Sequence, residues 1–299
     1  MFKIIQKRKI WFTISGLVII PGIIFMCLGG LKLNIDFTGG TLWQLKFDSN
    51  RPATADLQSK LTTADLRDIT VQPLGDNGMA IRLQPIDNAK RAAVFEQLKT
   101  AYPTVVEDSF ETIGPTVGKE LLNKSITAII MVLLGIILYI SWAFRKISRT
   151  STISGWVMGL SATIALAHDV LVLLGVFAIL GYFFNIEIGG LFVTALLTVL
   201  GFSVHDTIVV FDRVRENVIH DSRQDFENIV NDSVNQTLAR SLNTSLTTLF
   251  VLIALYLFGG ESIKIFVLAM IIGITTGTYS SIFNASPLLV VWEQYRRRK

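Results

Sequence analysis

The sequence predicts an α-helical integral membrane protein. Six membrane-spanning helices carry a small α+β domain of ferredoxin-like order between the first two. Three observations predict this. The 299-residue chain is 51% apolar and only 17% charged, with a mean hydropathy of +0.53. Its charge-free intervals are 10–31, 125–144, 150–168, 170–186, 188–205, 241–260 and 265–292. A bilayer-crossing helix needs about 20 mainly apolar residues, and one soluble core does not need so many intervals of that length. Between residues 32 and 120 the composition changes to that of a soluble domain.

The first element follows Lys3, Lys7, Arg8 and Lys9 and runs apolar from Ile10 to about Leu31. It exceeds a signal peptide's usual apolar stretch of about 7–15 residues, and no small-x-small site follows, so residues 1–31 are read as a cytoplasmic N-terminus and a first span. In the 32–120 segment, Thr41–Phe47 alternates like a strand and Pro52–Asp65 reads as a short helix. Ile69–Leu74 and Met79–Leu83 flank a Gly-Asp-Asn-Gly turn and read as a hairpin. Asn88–Tyr102 places Ala92, Phe95, Leu98 and Tyr102 at helical spacing, and Thr104–Phe110 reads as the last strand. The order β-α-β-β-α-β is that of a split βαβ unit. Residues 121–299 hold five more spans, at about 121–144, 152–181, 187–211, 240–258 and 263–292.

Basic residues set the orientation. Arg145, Lys146 and Arg149 lie in the second connection, and Arg213, Arg215 and Arg223 in a long amphipathic fourth one. Arg296, Arg297, Arg298 and Lys299 end the chain. The third and fifth connections are short and carry only Glu187, Glu261 and Lys264. Positive-inside then places both termini in the cytoplasm and the 32–120 domain outside. Because the cations bunch at span ends, the pI of 9.2 and net charge of +4 report topology and do not point to nucleic acid. The single cysteine, Cys27, excludes an intrachain disulfide and a cysteine metal site.

Ionisable groups at a span centre cost about 2.5–3.5 kcal/mol each. Two spans nonetheless carry His168-Asp169 and His205-Asp206. The fifth opens with Arg240, which shares a helix face with Asn243 or Thr244 and with Thr247; Ser241, Ser245 and Thr248 add hydroxyls. A carboxylate, an imidazole and a guanidinium converging between helices would make a proton site, with burial and the arginine acting on the carboxylate in opposite senses. Static buried pairs that lock helix packing are the alternative. Asp169, Asp206 and Arg240 on successive spans favour function. The two His-Asp pairs are also a ligand type for a metal, but one sequence does not bring them together, and neither metal nor cofactor is assigned.

Other features carry less. Gly114-Pro-Thr-Val-Gly118-Lys119-Glu120 resembles a phosphate-binding loop, but it is one residue short between its glycines and lacks Ser or Thr after the lysine. Gly155–Gly159 and Gly273–Gly277 have the spacing of close helix contacts. Asp212-Arg213-Val-Arg215-Glu216 reads as a solvated helix end, and no nucleophile–base pair suggests an enzyme.

Four blocks carry a resemblance. They are Asn34-Ile-Asp36-Phe-Thr-Gly39-Gly40-Thr, Ala167-His168-Asp169, Gly201-Phe-Ser-Val-His205-Asp206 continuing to Asn217, and Arg240-Ser-Leu-Asn243-Thr244-Ser-Leu-Thr247-Thr248-Leu. Together they resemble the SecD/SecF family of bacterial protein-export proteins over nearly the whole chain. The resemblance implies half of a resistance-nodulation-division transporter core in the bacterial cytoplasmic membrane, completed by SecD as a heterodimeric partner. It also implies association with the Sec channel SecYEG, contact with the translocating preprotein and membrane lipid, and use of the proton-motive force. By position, Asp206 corresponds to the family's proton-site carboxylate and Arg240 to its arginine partner; His205 stands where many members carry Asn. The alternatives are a proton-coupled half-transporter for lipid or drug, for which about 90 outer residues are few, and a passive scaffold of the channel.

Overall fold

The computed structural model describes residues 2–48, 51–64, 66–145, 154–220 and 224–297. Lys146, Arg149, Arg223, Arg298, Lys299 and Asp65, which entered the topology and helix readings, lie outside the described residues. In chain order the elements are α1 (Arg8–Cys27), β1 (Lys32–Leu33), α2 (Ile35–Thr38), β2 (Gly40–Lys46), α3 (Thr54–Thr63), β3 (Thr70–Leu74), β4 (Gly78–Leu83), α4 (Asn88–Ala101) and β5 (Val106–Ile113). There follow α5 (Pro115–Ala143), α6 (Gly155–Phe184), β6 (Glu187–Ile188), α7 (Gly190–His220), α8 (Phe226–Phe258), α9 (Glu261–Ser280), a π-helical turn (Ser281–Ala285) and α10 (Ser286–Arg297). Two compact units result, residues 33–125 and residues 1–32 with 126–299.

The 33–125 unit is a four-stranded antiparallel sheet in the order β3-β4-β2-β5. Its alternating residues Trp43 and Leu45 on β2 and Met79 and Ile81 on β4 are fully buried together with Leu57 and Leu61 of α3, and Leu98 of α4 is buried in the same cluster. Period-two alternation places those strand residues on one sheet face, so both helices cover that face. Trp43 packs on Phe95 and Phe110 with ring centroids 6.0 and 5.8 Å away, and its indole donates to Glu107 at 2.9 Å. Asn34 caps α2 by accepting from the Asp36 amide at 2.9 Å. Gly39 then has φ +75, and a Cβ there would lie 2.6 Å from Pro115 Cα, so only glycine fits this turn.

In the other unit, six helices are long and apolar enough to cross a membrane among the described residues. The third, fourth and sixth are 50%, 44% and 56% buried over their apolar windows, against 11–17% for the first, second and fifth, so the former make the interior layer. Close helix contacts sit at glycines. Gly22 of α1 and Gly175 of α6 face each other, each position's ideal Cβ falling 2.7–2.8 Å from the other's Cα. Gly155 and Gly159 abut Ser141 of α5, while Gly273 and Gly277 abut Val199 and Ser203 of α7. The fourth connection differs from its expectation. α7 continues to His220 and α8 begins at Phe226, so most of that amphipathic stretch is helix. Hydropathy marks where hydrocarbon ends, whereas helix hydrogen bonding continues into water, here with Arg215–Asp212 and Arg213–Glu216 pairs at 2.7 and 2.6 Å.

Candidate functional site

Two acidic centres lie in the interior layer. Asp169 of α6 is 1% exposed. Its Oδ2 accepts from Ser203 Oγ of α7 at 2.6 Å and from Ser280 Oγ of α9 at 2.8 Å, and its Oδ1 lies 3.0 Å from His168 Nδ1. His168 stacks on Tyr279 at 6.2 Å between centroids, and its Nε2 is buried without a hydrogen-bond partner among the described residues. Tyr279 donates to the Trp11 carbonyl at 2.8 Å, tying this cluster to the first span.

Asp206 of α7 is 3% exposed and more sparsely held. Thr278 Oγ1 approaches its Oδ2 at 3.5 Å and Ser245 Oγ of α8 at 2.5 Å, while Ser241 Oγ is buried beside the carboxylate. Thr207, next to Asp206 in sequence, has its Oγ1 2.8 Å from Ser281 Oγ, where α9 passes into its π-helical turn. Such turns recur at functional sites because they aim side chains out of the regular ladder. Asp169, with three close partners, is thus held more firmly than Asp206.

The expected convergence of Arg240 on Asp206 is not made within this chain. Arg240, Asn243, Thr244 and Thr247 are all exposed, and no ion pair within 4.0 Å joins Arg240 to Asp206 among the described residues. One helical residue is a rotation of about 100°, so Ser241 and Ser245 turn inward while the stripe faces outward. His205 is also exposed. Among the described residues, no three His, Cys, Asp or Glu side chains gather as a metal site. Asp36, Gly39 and Gly40 form the α2–β2 turn of the other unit, and Gly118 packs there too, its ideal Cβ 2.9 Å from the Phe37 carbonyl oxygen. Sequence reasoning missed Ser203, Thr278, Tyr279 and Ser280. The run Thr278-Tyr279-Ser280-Ser281, polar within the apolar 265–292 interval, was the available signal.

Fold and site define a multi-pass helical membrane protein with ionisable groups buried among hydroxyls. Residues 93–295 match the family described as protein export membrane protein SecD/SecF, C-terminal. The chain belongs to this SecD/SecF family. It is 50% identical over 306 residues to protein translocase subunit SecF of Thermobaculum terrenum, covering 98% of this chain and 94% of that one. The subunit of the same name from Anaerolinea thermophila is 41% identical over 296 residues, with the same coverages. Among solved structures, SecDF of Thermus thermophilus, a translocon-associated membrane protein, superposes with TM-score 0.85 at 30% identity. That match covers 98% of this chain and 39% of the SecDF chain. A SecDF structure in a super-membrane-facing form gives TM-score 0.70 at 30% identity.

Proposed function

We propose that this chain is the SecF-type subunit of the Sec export machinery. It pairs with a SecD partner and works beside SecYEG to promote preprotein translocation across the bacterial cytoplasmic membrane with the proton-motive force. Asp206 is the proton-site carboxylate, with Arg240 and His205 as the charged groups acting on it. His168 and Asp169 form a second, more tightly bonded centre of the relay. Both termini are cytoplasmic and the 32–120 domain, with a ferredoxin-like strand order, is extracytoplasmic.

The observation that carries this reading is the outward-facing stripe on α8. Arg240 and Asn243 make no side-chain hydrogen bond among the described residues, although Thr244 and Thr247 return theirs to the carbonyls of Arg240 and Asn243 at 3.0 and 2.9 Å. A guanidinium and an amide facing lipid are costly, so the stripe needs a polar cover. A second, pseudo-symmetric transporter half supplies one and closes the outer side of Asp206. Moving one charge across 100 mV yields about 2.3 kcal/mol, enough to bias a two-state swing of the outer domain roughly fifty-fold. A photo-crosslinker at Asn243 should capture SecD in native membranes, while one at Leu257, exposed near the end of the same helix and off the stripe, serves for comparison. Capture of lipid alone from Asn243 would sink the pairing.

A further inference from the structure

A groove of about 610 Å³ runs between the N-terminal segment with α1, α8, and the α9–π-turn helix. Its α8 wall is Leu238, Leu242, Leu246 and Leu249, faced by Trp11 and Phe283, and its floor is the Ser245–Thr278 pair beside Asp206. Helical rotation puts this leucine wall on the face of α8 opposite to the Arg240–Thr247 stripe, so covering the stripe leaves the groove open. Leu238 to Leu249 spans about 16 Å of helix, close to the roughly 15 Å of hydrocarbon in one leaflet.

One end of the groove is charged and built. Lys3 and Lys7 line it, one turn apart and both exposed, with no ion pair among the described residues. Their segment is pinned to α8: Asn235 exchanges two 2.9 Å hydrogen bonds with the Phe2 backbone, and Asn231 accepts from the Ile4 amide at 3.0 Å. The neighbouring Arg8 is occupied by Glu227 and Gln294, each at 3.0 Å. Trp11, its indole satisfied by the Ile4 carbonyl at 2.9 Å, sits just below the lysines, as aromatic side chains do at headgroup depth.

We infer that this groove binds one anionic phospholipid, its acyl chain along the leucine wall and its phosphate at Lys3 and Lys7. Basic pockets between spanning helices select acidic headgroups. Roughly fivefold per lysine, or roughly thirtyfold for the pair, is the preference expected over a zwitterionic lipid. The inference does not depend on the proton role of Asp206.

The test uses the protein purified with its partner and stripped of lipid. Palmitoyl-oleoyl phosphatidylglycerol or phosphatidylcholine is added back, and retention is read by native mass spectrometry. The wild type should hold one phosphatidylglycerol roughly thirtyfold better than phosphatidylcholine. Lys3→Gln with Lys7→Gln should bring that ratio near one, while Lys9→Gln, outside the groove, should leave it unchanged. Leu246→Trp, which fills the groove, should reduce retention of both lipids. A ratio unaffected by the double lysine change, or equally reduced by Lys9→Gln, overturns the site. A photo-crosslinker at Leu246 that joins polypeptide in place of lipid overturns the occupant.

Discussion

Gly277→Ala should unsettle Asp169 of α6 from the neighbouring α9, by way of Ser203 on α7. A Cβ at Gly277 would stand 2.8 Å from Ser203 Cβ and 3.1 Å from its Oγ. Carbon atoms pack at about 3.5–4.0 Å, so Ser203 must move by about 0.7 Å or more. Ser203 Oγ donates to Asp169 Oδ2 at 2.6 Å, and a shift of that size stretches or breaks the bond. Overpacking costs about 1–3 kcal/mol, and an interhelical hydrogen bond in a membrane protein contributes about 0.6–1.7 kcal/mol. Less the roughly 1 kcal/mol that alanine gains over glycine in a helix interior, the variant should therefore lose about 1–4 kcal/mol. Gly201→Ala is the control: it lies on the same helix as Ser203, its ideal Cβ meets nothing within 4 Å, and alanine favours a helix interior by about 1 kcal/mol. Unfolding both variants in mixed micelles by added dodecyl sulfate, followed by circular dichroism, compares them. Adding Ser203→Gly to Gly277→Ala should restore the steric part and leave the hydrogen-bond part lost. Equal stability of Gly277→Ala and Gly201→Ala would refute the reasoning.

Two further outcomes follow, the first in the 33–125 unit. Tyr102 donates to Asp56 at 2.5 Å, and burial, with that hydrogen bond second, pushes the phenol up to about 12. A raised folded pKa makes this stabilisation complete below the unfolded value near 10 and lost as pH rises through about 12. The tyrosinate absorbance missing from Tyr102→Phe should thus be the last to appear, and Asp56→Asn should bring it earlier; titration near 10 would contradict the contact. For topology, single cysteines at exposed Lys46 or Lys99, in a Cys27→Ser background, should react with an impermeant maleimide in intact spheroplasts, and one at exposed Glu216 only after lysis. The reverse pattern overturns the orientation.

Much of the architecture was legible because membranes impose a coarse code. The cost of charge in hydrocarbon wrote the spans as charge-free intervals, and period-two alternation in Thr41–Phe47 and Met79–Leu83 anticipated β2 and β4 to within a residue. Helix ends were not legible, as α7 and α8 show, because hydropathy reports the surrounding medium and not backbone hydrogen bonding. Asp169, His168 and Asp206 stood out as ionisable groups in apolar spans. Their partners stood out less, since uncharged hydroxyls leave an interval charge-free, and only the polar run Thr278-Tyr279-Ser280-Ser281 marked two of them. Which way Arg240 faces depended on a 100° step that a polar stripe on one helix does not resolve.

The central claim is that Asp206 couples a proton gradient to export. Inverted membrane vesicles carrying this chain with its partner should show preprotein uptake stimulated by a proton gradient. Asp206→Asn should insert normally and co-purify with the partner yet lose the gradient-dependent part of that uptake. Stimulation undiminished in Asp206→Asn would contradict the account.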